Sequence, residues 1–285
     1  MKKEERHITD EDVKQSLPRN RKEVFFDLLK NRKMNLFAFS SYTIIFFIPL
    51  AVDLFLFNFF ESAAIAADKS DQLFSLVFYS MLIMLPCMLI GFIGLAGAFY
   101  TAKKMVWQEG ISLASDFFQG IKENWRQAIL NGFIFGLFLF GMVVGSLYLV
   151  IYMQSQPILL GVGIGALILF FLMFGMVIAL NFTQMVYYDN GFLPTTKNSF
   201  CLLGVLNWKV FVLFLLSTGG VIALCCFNLI TLAIGMLLFA ILNSVVIVLY
   251  TLISHRGFDQ FINKEHYPEM VNKGLYKKTC DDKEA

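Results

Sequence analysis

Charge is what this chain has least of. Asp, Glu, Lys and Arg make up 15% of its 285 residues against 58% hydrophobic residues, a balance outside that of ordinary soluble domains. Histidine occurs three times, as His7, His255 and His266, and never inside an apolar run. No H-E-x-x-H pair, no carboxylate pair at helical spacing within a run, and no phosphate-cradling glycine pattern is present. Metalloprotease, proton-pump and nucleotide chemistry therefore lack the groups they need. The five cysteines (Cys87, Cys201, Cys225, Cys226 and Cys280) show neither even spacing nor CxxC, which excludes a disulfide framework and a zinc site. We expect a non-enzymatic protein with no metal, no cofactor and no nucleic-acid partner.

What the chain has instead is long apolar runs. Six are read, at roughly 35–57, 73–100, 127–153, 157–187, 208–226 and 229–254, each near or above the 20 or so residues that cross a bilayer. The connections 58–72, 154–156 and 227–228 hold a single basic residue, Lys69. Every other Lys and Arg lies in the tails, in 101–126 and 188–207, or at the adjoining ends of the runs. Cytoplasmic loops retain Lys and Arg, so the sequence predicts a multi-pass cell-membrane protein with both termini cytoplasmic. The charged amino-terminal tail argues for an uncleaved first span. The last two runs are separated only by Phe227 and Asn228, so a tight hairpin and a re-entrant pair are both open there.

The predicted organisation is a loose tail over 1–19, one membrane domain over 20–254 and a tail over 255–285. Three amphipathic stretches, 21–33, 110–126 and 191–209, are expected as cytoplasmic surface helices. Ser112 is a reasonable N-cap for the second, and Pro194 fits the first turn of the third. Asn31-Arg32-Lys33, Asn124-Trp125-Arg126 and Asn207-Trp208-Lys209 stand before spans one, three and five. Seven residues ahead of each asparagine are Val24, Phe117 and Phe200. Two readings remain: three parallel repeats of surface helix plus hairpin, or the aromatic-basic composition of any membrane interface. Either way the fold class is all-α, a polytopic bundle of about six helices.

Asp53 is the one ionisable residue well inside a run, about a turn from its predicted end, where it could also reach the interface. Asn131, Asn181, Gln184 and Asn243 could join helices by hydrogen bonds or form a polar pocket for a small solute. Gly132/Gly136, Gly141/Gly145 and Gly161/Gly165, with Gly91, Gly94 and Gly97, predict faces of close helix approach. Pro49 and Pro86 predict kinks.

Residues 85–130 carry a resemblance. Leu85-Pro86, then Gly91, Gly94, Gly97-Ala98-Phe99-Tyr100, Asp116-Phe117-Phe118 and Lys122-Glu123-Asn124-Trp125-Arg126-Gln127 resemble the YesL-like family of bacterial membrane proteins. The chain differs from that pattern in its segment 58–72 and in a full second span around Leu85-Pro86. The resemblance implies an accessory role beside a carbohydrate uptake system, and it brings no catalytic residues with it. The expected partners are the lipid bilayer and a membrane transporter complex. Phe117, Trp125, Arg126, Phe200, Trp208 and Lys209 are the candidate docking residues. The alternative is a transporter or channel for a small polar solute such as a sugar, using Asn131, Asn181, Gln184 and Asn243.

Overall fold

The computed structural model describes residues 17–67, 72–220 and 228–276. Its helices are α1 (Arg21–Asn31), α2 (Lys33–Ala66), α3 (Leu73–Val106), α4 (Leu113–Met153), α5 (Pro157–Tyr187), α6 (Phe192–Phe214) and α7 (Leu229–Phe258). π-helical turns extend α6 through Leu215–Gly219 and α7 through Asp259–Asn263. There is no strand among the described residues, so the fold is an all-α bundle. Five helices are long and apolar enough to cross a membrane, and six if the bent α6 counts as one span. Lys69, Cys225, Cys226, Phe227, Cys280 and the tail 1–16 lie outside the described residues.

Local chemistry explains the helix starts. Asn20 accepts a hydrogen bond from the Glu23 N–H, and the Glu23 carboxylate accepts from the Arg19 N–H and the Asn20 side chain. That reciprocal cap satisfies amides that the first turn of α1 leaves without partners. At α7, Asn228 and Thr231 form a capping box. At α4 the expected Ser112 side-chain cap is absent; the Ser112 N–H instead donates to Asp116 Oδ2.

Consecutive helices pack side by side, and α7 returns against α2 and α3. Helix α3 is central, touching α2, α4, α5 and α7. The end of the bundle bearing Lys33, Lys103, Lys104, Arg126, Lys209 and Arg256 is here termed the basic end. Burial is concentrated there: in α4 the buried positions stop at Gly136, and in α5 they begin at Phe171. Beyond those points α4 and α5 chiefly meet each other, through Phe138 on Phe174, Leu167 beside Gly145 and Leu149 beside Gly163. Their outer faces expose Ile151, Tyr152, Ile158 and Leu169, an apolar surface that lipid can cover.

Several expectations change. The stretch 113–126 is not a separate surface helix: α4 runs unbroken for 41 residues, about 60 Å at 1.5 Å per residue. No Gly or Pro breaker interrupts the Asn124–Gln127 junction, so the interface composition there does not end the helix. By contrast α1 breaks from α2 at Arg32, and α6 bends by 101° between Phe192–Leu206 and Trp208–Ser217. The three proposed repeats thus join their spans in three different ways. Helix α2 reaches Ala66 rather than 57, and the chain from 255 to 276 is folded rather than a tail. Pro49 and Pro86 sit within α2 and α3 without ending either.

The glycine faces are borne out in part. A Cβ on Gly97 would lie 2.6 Å from the Phe117 carbonyl oxygen, and one on Gly136 would lie 2.5 Å from Leu85. Gly141, Gly161 and Gly165 have no neighbour within 4 Å; Gly163 makes the contact instead.

Candidate functional site

The most highly connected polar group in the fold lies at the basic end, where α1, α3, α5, α7 and the chain after α7 meet. Asp259 stands one helical turn beyond His255, which places both side chains on one face of the α7 extension. The His255 Nδ1 and Asp259 Oδ2 are 3.1 Å apart. Arg21 of α1 reaches the same Oδ2 at 3.1 Å, and its Nη2 lies 2.8 Å from His255 Nδ1. Trp107, just past α3, donates its indole N–H to His255 Nε2 at 2.8 Å.

These contacts fix the tautomer. An indole N–H only donates, so His255 Nε2 is unprotonated. The ring proton is then on Nδ1 and is donated to Asp259. A guanidinium also only donates, so Arg21 bonds to the carboxylate oxygen, and its approach to Nδ1 brings two donors to one acceptor. His255 follows the apolar run 229–254. Burial, aided by the Arg21 charge, holds it below its ordinary value despite the hydrogen bond to Asp259. For Asp259 burial works upward, but hydrogen bonds from His255 and Asn263, with the charge of Arg21, hold it below the carboxylate range.

The surroundings complete the knot. Asn263 donates to Asp259 Oδ1 at 2.8 Å and accepts from the Tyr188 hydroxyl at 2.7 Å. Arg21 Nη1 donates to the Lys273 carbonyl, and the Tyr276 N–H donates to the Pro18 carbonyl, each at 3.0 Å. The Lys273 ammonium lies 3.6 Å from the Trp107 ring centroid and 2.9 Å from Glu109. Gly274, at φ +80, fits against the end of α3, where a Cβ would meet the Val106 carbonyl oxygen at 2.6 Å.

A second polar group joins α4, α5 and α6. Asn181 donates to Asn131 Oδ1 at 2.8 Å and to Thr196 Oγ1 at 3.2 Å. Gln184 donates to Ser199 Oγ at 2.5 Å, and Gln127 donates to the Asn190 carbonyl at 2.6 Å. The side-chain oxygens of Gln127, Asn181 and Gln184 are buried without a hydrogen-bond partner. The structure therefore unites three of the four predicted amides. Asn243 stays apart, buried with an unpartnered Nδ2, on the α7 stretch whose Ala240 carbonyl accepts from Ser40 of α2. Two grooves, of about 330 and 470 Å³, lie between α2 and α7 and between α2 and α3. Neither is lined by these amides.

The predicted docking residues divide. Phe117 is buried against Tyr42 and Phe46 and is unavailable to a partner. Its counterpart Val24 is also buried, whereas Phe200 is 43% exposed, so the three positions do not share one environment. Trp125 and Trp208 are 44% and 65% exposed. Arg126 lies 5.4 Å from the Trp125 ring and Lys209 5.7 Å from the Trp208 ring. The side chain of Asn207 lies outside the described residues.

Sequence reasoning missed the Arg21–Trp107–His255–Asp259 group. Its one local signal was the four-residue spacing of His255, Asp259 and Asn263, which puts three polar groups on one face past an apolar span. Among the described residues no group of three or more His, Cys, Asp or Glu could hold a metal ion. No protein-family model, no curated protein and no solved structure matches this chain.

Proposed function

We propose that the chain is a multi-pass membrane protein with both termini in the cytoplasm. In this reading it acts as a non-enzymatic accessory subunit beside a membrane transporter, with carbohydrate uptake as the associated process. The observation that carries the reading is the asymmetry of the bundle. Burial, polar order and the described ends of the chain gather at the basic end, where Trp125–Arg126 and Trp208–Lys209 stand exposed. The retention of Lys and Arg on the cytoplasmic side supports the orientation, and Trp and Arg are among the residue types that anchor protein interfaces. The amides favour structural service, since most of their donors already bond within the protein. The resemblance of 85–130 to the YesL-like family supports the link to carbohydrate uptake.

The test replaces Trp125 and Trp208 together by alanine and compares co-purified proteins at equal membrane abundance. Loss of a transporter component present with the wild type supports docking. An unchanged set of partners refutes it.

A transporter reading keeps one observation in its favour, the unpartnered oxygens of Asn181 and Gln184. Sugar uptake by the purified chain in liposomes, abolished in N181A, would establish that reading instead.

A further inference from the structure

We propose that Asp53 is a proton-binding site, a carboxylic acid held in its protonated form between α2 and α3 within the apolar part of the bundle. The inference rests on the chain crossing a membrane and is independent of any accessory role. Asp53 is 7% exposed, and its Oδ2 is buried without a hydrogen-bond partner. The polar group that faces it is the buried Ser80 of α3. Among the described residues it has no ion pair.

The end of the helix is farther away than the sequence suggested. Helix α2 continues 13 residues beyond Asp53, to Ala66. Phe55, Leu56, Phe59 and Phe60 follow as exposed large apolar side chains, with Ile48 and Val52 on the preceding turns. On α3, Tyr79, Leu82 and Ile83 flank Ser80 and are likewise exposed. This apolar belt extends on both sides of the carboxyl, which is itself buried within the bundle. An ionised carboxylate there would have neither hydration nor a counter-charge, and such a group neutralises instead. On α3 the titratable neighbour is Cys87. The α7 residues facing Val52 across the adjoining groove, Leu232, Ala233 and Met236, cannot ionise.

The test uses the full chain in phosphatidylcholine vesicles at neutral pH, treated with dicyclohexylcarbodiimide and mapped by mass spectrometry. The acid proton passes to a carbodiimide nitrogen and the carboxylate oxygen bonds to the central carbon. The O-acylisourea then rearranges to a stable N-acylurea with no leaving group. A parallel sample receives a water-soluble carbodiimide with glycine ethyl ester, which amidates exposed carboxylates such as Glu265 and Glu269. We expect the N-acylurea on Asp53, its loss in D53N, and no amide on Asp53 in the parallel sample. Either an unlabelled Asp53 in the first sample or an amidated Asp53 in the second overturns the proposal.

Discussion

Trp107 and His255, 148 residues apart in sequence, share one proton donor and one lone pair across 2.8 Å. Because the indole can only donate, this contact holds His255 neutral and dictates which of its nitrogens carries hydrogen. The same ring then steers Asp259, and through Asp259 it holds Arg21 of the first helix.

Acid should loosen this end of the bundle. A histidine whose folded value lies below its ordinary 6.5 binds protons more readily when unfolded, so stability rises with pH in that range. The His255 contribution is complete above about 6.5 and is lost as pH falls below it. Asp259, depressed below 3.8, adds a further loss only as pH falls past that value. Thermal unfolding in detergent should show the first loss between pH 7 and 5, and H255A should abolish that part of the slope. A wild-type melting temperature flat over this range would contradict the tautomer assignment.

Arg21 and Asp259 should be coupled. Their side chains are 14% and 12% exposed, so D259N leaves a largely buried guanidinium with a weaker partner and should cost about 2 kcal/mol. The double variant R21M/D259L should recover part of that loss. Strict additivity in the double-mutant cycle would mean the pair does not interact.

The amide pair should be worth little. N181A removes the bonds to Asn131 and Thr196, and interhelical bonds of this kind average about 0.6 kcal/mol. A cycle of N131A with N181A should give a coupling near that figure. A coupling several times larger would mean the group does more than join helices.

Glycines at close contacts should not behave like glycines that face open space. G97V forces a side chain against the Phe117 carbonyl and should destabilise the α3–α4 contact by about 1–3 kcal/mol or more. G274A meets both a close carbonyl and a positive φ and should cost about 1 kcal/mol or more. G161A and G165A face open space and should be neutral or stabilising by up to about 1 kcal/mol, from helix propensity alone. Melting temperatures of the four variants check the order.

The helices themselves were legible because an apolar run of bilayer length has few alternatives. Their ends were not. Trp125-Arg126 reads as an interface, yet nothing in Leu113–Met153 breaks a helix, and the backbone follows propensity rather than composition. Asp53 reads as close to an end because the apolar run stops near residue 57, whereas α2 continues to Ala66. The amide group was recoverable because Asn181 and Gln184 share a face three residues apart. Asn243 sits on α7, near the Ala240 carbonyl that accepts from Ser40 of α2, and which helices come together there a single sequence does not reveal. The Arg21 knot depends on residues brought together only by tertiary packing, from five separate parts of the chain.

The bond between the Tyr276 amide and the Pro18 carbonyl has a consequence in time. The ribosome releases the Pro18–Arg21 stretch first and its partners His255, Asp259, Lys273 and Tyr276 last. The amino-terminal helix therefore has no lock until every intervening span has been threaded and docked. A nascent chain stalled before α7 would display an open clasp.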